Sequence, residues 1–203
     1  MTVEKGRPWG RPGPAPTDAV VVRSNAEAQA VVVAARRAGE PVPVLALLGG
    51  DLCRTLGGRG DERRLGSGDG IEVPIDLGVA LLDGRETVFL AHLVARRSWW
   101  FGRVFVAMNA QFIGPWDVAP RSHPNDGRID TLDLNLRLGD RWKAWSRLRT
   151  GTHVPHPGIE ERRVRSLSVR FERAVPVEVD GVRAGRAREI EVRVEPDAVR
   201  VAV

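Results

Sequence analysis

The sequence has a single cysteine and no long hydrophobic run, and each shortage excludes a class of protein. One cysteine, Cys53, excludes an intramolecular disulfide framework and a zinc site made of cysteines alone. The longest apolar run, over 42–48, contains a proline and is far too short to cross a bilayer. The first residues also lack the pattern of a secretory signal, in which a charged stretch is followed by an apolar one. We therefore expect a cytoplasmic protein.

Lysine is nearly absent and tyrosine is absent, so the basic character of the chain comes from arginine. Lysine and arginine together number 31 against 26 acidic residues, which gives a formal net charge of +5. The arginines are scattered among aspartate and glutamate, without a basic helix or an aromatic RNA-stacking motif, and this pattern speaks against nucleic-acid binding. A basic surface still attracts phosphate groups or an anionic membrane.

The beginning of the chain predicts one α/β unit. A β-branched run over 19–23 predicts a strand, and Ser24 followed by Glu27 has the spacing of a helix capping box. Good helix formers continue to Gly39, a typical residue at a helix C-terminus. The run over 42–48 is apolar on both faces and predicts a buried strand.

From residue 71 onward the apolar residues alternate, which predicts antiparallel strands. Strands over 75–82 and 87–94 are joined by an Asp83-Gly84 turn, and the clearest alternation runs over 132–138. Further strands are predicted at 104–113, 167–171, 175–179, 190–194 and 199–203. One helix, with Asp140 as its N-cap and Gly151 after its end, interrupts the strands.

These patterns predict an α+β protein. A remnant α/β nucleotide-binding unit over 1–70 is followed by a larger antiparallel β-sandwich domain with one crossing helix over 71–203.

A glycine turn, Gly49-Gly50-Asp51, follows the buried strand. Glycines at such a place let backbone N–H groups approach a phosphate, and the aspartate can hold a metal or a hydroxyl. The same residues also suit an ordinary tight turn, so the spacing alone leaves both interpretations open.

A second polar loop, Asn125-Asp126-Gly127, precedes the strand over 132–138. Asp126 and exposed carbonyls suit a hard cation such as Mg²⁺ or Ca²⁺. An Asx turn ahead of a strand is the alternative.

An aromatic cluster, Trp99-Trp100-Phe101, follows Arg96 and Arg97. Amphipathic indoles beside arginines are favoured at a membrane interface. The cluster is equally suited to packing on the β domain or to a homodimer contact.

Taken in chain order, these motifs resemble the bacterial diacylglycerol kinase and sphingosine kinase-like lipid kinases. The segments that carry the resemblance are Val73-Pro-Ile-Asp-Leu-Gly78, Asn125-Asp126-Gly127, the helix that ends at Gly151, and Val179-Asp180-Gly181. The resemblance covers most of 42–203. It implies a site in the cleft between an α/β nucleotide-binding domain and a β-sandwich.

The resemblance also implies a chemistry. ATP, with Mg²⁺, would donate its γ-phosphate to a lipid hydroxyl. Gly49, Gly50 and Asp51 would face the nucleotide phosphates, and Asp126 would be the carboxylate of a structural metal site.

The departures from the family pattern concern the catalytic groups. Leu52 stands where the family has a further glycine after the aspartate, which puts a Cβ where close backbone approach is needed. Val182 stands where the family has the glutamate expected to be the general base, and valine cannot accept a proton. Asp180 is the nearest candidate for that role. The nucleotide-side segment is also shortened.

Three functional hypotheses follow. The first is a diverged, catalytically impaired lipid kinase-like protein with a binding or regulatory role towards lipid, nucleotide or a protein partner. The second is an active ATP-dependent lipid kinase acting on a diacylglycerol-like hydroxyl. The third is a structural dimerisation module. The partners we expect are a lipid or an anionic membrane surface, at the inner face of the membrane, and a second copy of the chain.

Overall fold

The computed structural model describes residues 9–153 and 156–203, so the first eight residues of the predicted α/β unit lie outside the description. The helices are α1 Asn25–Ala38, α2 Gly50–Thr55, α3 Glu62–Leu65 and α4 Leu138–Arg147, followed by a 3₁₀ helix at Leu148–Thr150. The strands are β1 Arg11–Pro12, β2 Val20–Val22, β3 Leu45–Leu47, β4 Ile71–Leu82, β5 Arg85–Phe89, β6 His92–Arg96, β7 Val104–Met108, β8 Phe112–Ile113, β9 Trp116–Asp117, β10 Ile129–Leu134, β11 Ile159–Val164, β12 Ser166–Val179 and β13 Val182–Ala202. No described helix is both long enough and apolar enough to cross a bilayer.

The α/β unit at the start of the chain forms as its local signals predict. The Ser24 hydroxyl accepts a hydrogen bond from the Glu27 N–H at 3.1 Å, which caps the first turn of α1. Gly39 ends the helix at φ +69°, a left-handed conformation that glycine adopts without strain. Strands β2 and β3 flank the helix in sequence and pair in parallel.

Strand β13 joins this unit to the rest of the protein. It pairs antiparallel with β4 and β12 along its length, and near its end it pairs in parallel with β3. The sheet is therefore continuous from one predicted segment to the other, and a shared core contains Val32, Leu45, Ile75 and Val201. The fold is α+β and mostly antiparallel, as the strand pattern predicts.

The alternation over 87–94 does not form one strand. Strand β5 ends at Phe89 and β6 begins at His92, because the N–H groups of Leu90 and Ala91 donate to the Asp180 carboxylate at 2.7 and 2.8 Å. The chain thereby leaves β4 and continues beside β7 and β12. The side chain that ends the strand lies 90 residues away along the sequence, so no local pattern predicts where the strand ends.

The predictions that a strand continues to Leu138 and that Asp140 caps the helix are wrong. Strand β10 ends at Leu134 and α4 begins at Leu138, with extended Arg137 as its N-cap. The Arg141 Nε donates to the Leu136 carbonyl at 2.9 Å, which turns the chain out of the sheet. Leucine alternation therefore continues past the last paired residue.

Candidate functional site

The glycine turn packs against the start of α1. Gly50 has φ +90°, and a Cβ built on it would lie 2.3 Å from the Asn25 Oδ1. A Cβ on Gly49 would lie 2.3 Å from the Arg23 carbonyl oxygen. Close packing within the protein therefore accounts for glycine at both positions.

Asp51, the residue after these glycines, is bonded by three separate segments. Its Oδ1 accepts a hydrogen bond from the Gly114 N–H at 2.8 Å. Its Oδ2 accepts one from the Asn25 Nδ2 at 3.1 Å and lies 3.0 Å from the His92 Nε2. A carboxylate only accepts, so this contact favours a proton on the His92 Nε2. The aspartate ties α1, α2, the β8–β9 turn and β6 together.

These contacts engage the Asp51 carboxylate and one N–H group that follows it. The Leu52 N–H, in the first turn of α2, donates to the Asn25 Oδ1 at 3.3 Å. Both oxygens of Asp51 have partners within the protein. The nucleotide-binding role of Gly49, Gly50 and Asp51 stays a prediction.

Asp180 lies at the tip of the β12–β13 hairpin and is enclosed by the β5–β6 junction. Its carboxylate accepts three backbone hydrogen bonds, from Leu90, Ala91 and His92, at 2.7, 2.8 and 3.0 Å. The Asp180 N–H in turn donates to the His92 carbonyl at 2.9 Å. Burial raises the pKa of Asp180, against the opposing effects of His92 and these N–H donors. The assignment of Asp180 as the catalytic residue stays a prediction, and the contacts are those of a positioning residue.

His92 connects the hairpin to the glycine turn, and sequence reasoning missed it. Its backbone contacts Asp180 and its ring contacts Asp51. The ring is buried, and its Nδ1 has no hydrogen-bond partner among the described residues. Asn25 was missed as well. The partners of both lie far away in sequence, so no motif spacing could have marked them.

A second buried network holds the loop that contains Asp126. The Asp76 Oδ2 accepts from the Gly127 N–H at 2.7 Å, and its Oδ1 accepts from the Asp197 N–H at 3.0 Å. Burial raises the pKa of Asp76, although the Gly127 N–H lowers it. The Asn109 Nδ2 donates to the Asp76 carbonyl at 2.8 Å and so links the loop to β7.

Asp126 itself adopts the Asx turn that the sequence left as the alternative. Its Oδ1 accepts from the Arg128 N–H at 3.0 Å, and its Oδ2 pairs with the Arg163 guanidinium. Across residues 9–153 and 156–203, no three His, Cys, Asp or Glu side chains converge as metal ligands would. The role of Asp126 as a metal ligand stays a prediction, and its described contacts do not fit one.

Asp130, on β10, is a buried carboxyl beside the same arginine. Its side chain is 1% exposed, and its Oδ1 lies 3.2 Å from the Arg163 Nε. Burial raises the pKa of Asp130 to about 6, since it outweighs the attraction of Arg163.

We expect Asp130→Asn to stabilise the protein at alkaline pH. Between the ordinary pKa of 3.8 and about 6, the folded carboxyl keeps a proton that the unfolded chain releases. The free energy of unfolding therefore falls as pH rises through this window, by up to about 3 kcal/mol. Asparagine removes that loss. Urea unfolding in EDTA should therefore give the variant a higher free energy of unfolding than the parent at pH 8, and nearly the same value at pH 4.5.

The matched control is Asp126→Asn, which removes the other carboxylate that contacts Arg163. It should give a clearly smaller gain at pH 8, because it breaks an ion pair with Arg163 and removes only the repulsion between Asp126 and Asp130. An equal effect of Asp130→Asn at both pH values would contradict the role of the buried charge.

Helix α4 covers an apolar cavity on the β7–β10 face of the sheet. The cavity has a volume of about 60 Å³, and its lining includes Trp99, Trp116, Trp145 and Ala144. The indoles of Trp116 and Trp145 meet at 4.5 Å between centroids. The space takes only a few methylene groups unless α4 moves outward.

The family model of the YegS C-terminal NAD kinase beta sandwich-like domain matches residues 83–203, more than half of the chain. Three solved structures from Bacillus anthracis str. Sterne that carry the name diacylglycerol kinase are similar in fold, each at 13% identity. Their TM-scores are 0.64, 0.55 and 0.60, and the similarity covers 79% of this chain and 69, 66 and 69% of theirs. No curated protein matches. The resemblance stated from the sequence motifs is confirmed.

Proposed function

The chain belongs to the family of the YegS C-terminal NAD kinase beta sandwich-like domain, and we propose that it is a catalytically impaired lipid kinase-like protein that binds lipid. Val182 carries this proposal. It lies at the hairpin tip, 44% exposed, where the resemblance places the general base. Its apolar side chain cannot accept the proton of a lipid hydroxyl.

The carboxylates of Asp180 and Asp51 are both held by other parts of the protein. Both oxygens of Asp180 are bonded by buried backbone N–H groups, and Asp51 is held by Asn25, Gly114 and His92. A general base must reach the substrate proton at hydrogen-bond distance. Each oxygen of these two carboxylates already has a protein donor, and we infer that neither reaches the substrate.

The cavity under α4 supports the lipid part of the proposal. Its lining is mostly aromatic and aliphatic, with Arg141 and His153 as its charged or polar members, and this composition favours an acyl chain over a nucleotide. The present volume of the cavity suits only the end of an acyl chain. Binding a longer part of an acyl chain therefore requires α4 to move away from the sheet.

Ligand-induced thermal stabilisation tests the proposal. Dioctanoylglycerol at 100 times its dissociation constant stabilises the folded state by about 2.7 kcal/mol, which for a chain of this size raises the Tm by on the order of 5 °C. ATP with Mg²⁺ should leave the Tm unchanged. Stabilisation by ATP with Mg²⁺ would favour the active-kinase hypothesis instead, and no stabilisation by the lipid would contradict the lipid-binding role.

A cavity-filling variant locates the lipid. Ala144 is buried against the cavity, and Ala144→Leu places three more carbon atoms in it. The variant should lose the response to dioctanoylglycerol. An undiminished response would place the lipid elsewhere.

A further inference from the structure

Large apolar side chains are exposed together at one place on the surface. Trp100 and Phe101 lie in the loop between β6 and β7, and Leu138 and Trp142 lie on α4. Their exposed fractions are 38, 62, 55 and 67%. In the described part of the chain, only two valines elsewhere are comparable. We call these four residues the tryptophan face.

The aromatic rings of this face are packed on one another. The Trp100 ring lies 6.5 Å from that of Trp142 and 5.4 Å from that of Trp145, measured between centroids. Trp145 continues the contact inward to Trp116 and the cavity. The loop and the helix therefore present a joined surface rather than separate exposed side chains.

A buried arginine fixes the loop to the helix. The Arg141 guanidinium donates to the carbonyls of Trp99, Gly102 and Leu136 and has no carboxylate partner among the described residues. Burying a charge in this way costs free energy. The exposure of the tryptophan face is thus part of a built structure and is not the result of a loosely held loop.

The surroundings of the tryptophan face are positively charged. Segment 137–149 contains five basic residues and one acidic residue. The acidic residue, Asp140, already contacts Lys143 at 3.5 Å. The exposed basic residues here and in the neighbouring loop are Arg97, Arg137, Lys143, Arg147 and Arg149.

We propose that the tryptophan face docks the protein on an anionic lipid bilayer, with the indoles at the headgroup level and the basic residues on the phosphates. Tryptophan and phenylalanine beside arginine and lysine are the composition of interfacial helices. A symmetric contact with a second copy is disfavoured, because it would bring two basic rims together.

Vesicle sedimentation with the full chain tests this docking. Vesicles of equal parts phosphatidylglycerol and phosphatidylcholine should bind the protein, and pure phosphatidylcholine should bind it far less. Raising NaCl from 0.05 to 0.5 M should weaken binding, since salt screens the basic residues. The Trp100→Ala, Trp142→Ala double variant should lose about tenfold or more in partitioning, because binding scales with buried apolar area.

Controls separate docking from loss of the fold. Val21→Ala removes an exposed apolar side chain elsewhere and should leave binding unchanged. The exposed pair Lys143→Glu, Arg147→Glu should lose binding to anionic vesicles even where the tryptophan variant folds poorly. Equal sedimentation of the parent and both variants would overturn the proposal. So would a parent dimer that the tryptophan variant converts to monomer.

The vesicles contain no diacylglycerol, so this test is independent of the proposed function. A protein that responds to dioctanoylglycerol but ignores anionic vesicles keeps the lipid-binding role and loses the docking surface. Vesicle binding without a response to dioctanoylglycerol keeps the docking surface and contradicts the lipid-binding role.

Discussion

Purified protein incubated with ATP, Mg²⁺ and diacylglycerol in mixed micelles is expected to transfer phosphate at well below about 1 per second. Kinases typically turn over at about 1–100 per second. Loss of general-base assistance lowers the rate by about 10²–10⁴-fold. Phosphoryl transfer depends mainly on positioning and charge stabilisation, and Asn25 already bonds the Asp51 carboxylate and the Leu52 N–H that could take part in either.

A radiolabel transfer assay measures this rate, with heat-inactivated protein as the background. Turnover near one per second would overturn the impaired-kinase proposal and move the assignment to Asp180. Val182→Glu supplies the missing carboxylate, and Val182→Gln is its control of equal shape. Activity in the first variant alone would assign the gain to proton acceptance.

Replacing Asp180 with alanine should have the largest effect on stability, a loss of about 3–5 kcal/mol. The substitution leaves the N–H groups of Leu90, Ala91 and His92 without their acceptor in a buried place. Each buried unsatisfied donor costs about 1–3 kcal/mol, and the three costs do not add fully. Alanine also tolerates the positive φ of this position, +50°, less well than aspartate. Urea unfolding measures the loss.

The chain offers a matched control at the other Asp-Gly hairpin. Asp83 also has a positive φ, +48°, and also accepts backbone hydrogen bonds, from Arg188 and Glu189, but it is exposed. Water can take over those donors in Asp83→Ala, so its loss should be clearly smaller. Equal losses in the two variants would show that the turn conformation, rather than burial, accounts for the effect at Asp180.

Local signals predicted the elements that local contacts form. Ser24 with Glu27 and the terminal Gly39 gave the bounds of α1, and Asp83-Gly84 and Asp180-Gly181 each join two strands of a hairpin. These signals act through contacts between residues a few positions apart, which the sequence shows directly. The order of the motifs also identified the family, although no single motif does so.

The centre of the candidate site could not be predicted in this way. Asp51, His92 and Asp180 are joined by contacts that span 41 and 88 residues, and their meeting depends on how the sheet closes. Apolar alternation likewise could not show that the chain leaves the sheet after Leu134, because Leu136 and Leu138 continue the pattern. Tertiary contacts decided each of these outcomes.

The pairing of strand β13 constrains the order in which the protein folds. Val201 must meet both Val73 and Leu45, residues from the first half of the chain. Loop-closure entropy opposes contacts between such distant segments, and topologies of high contact order fold slowly. The local β12–β13 hairpin can form early, whereas β3 can join it only after a long loop has closed. We therefore expect the α/β unit to join the sheet late in folding, after the β12–β13 hairpin has formed.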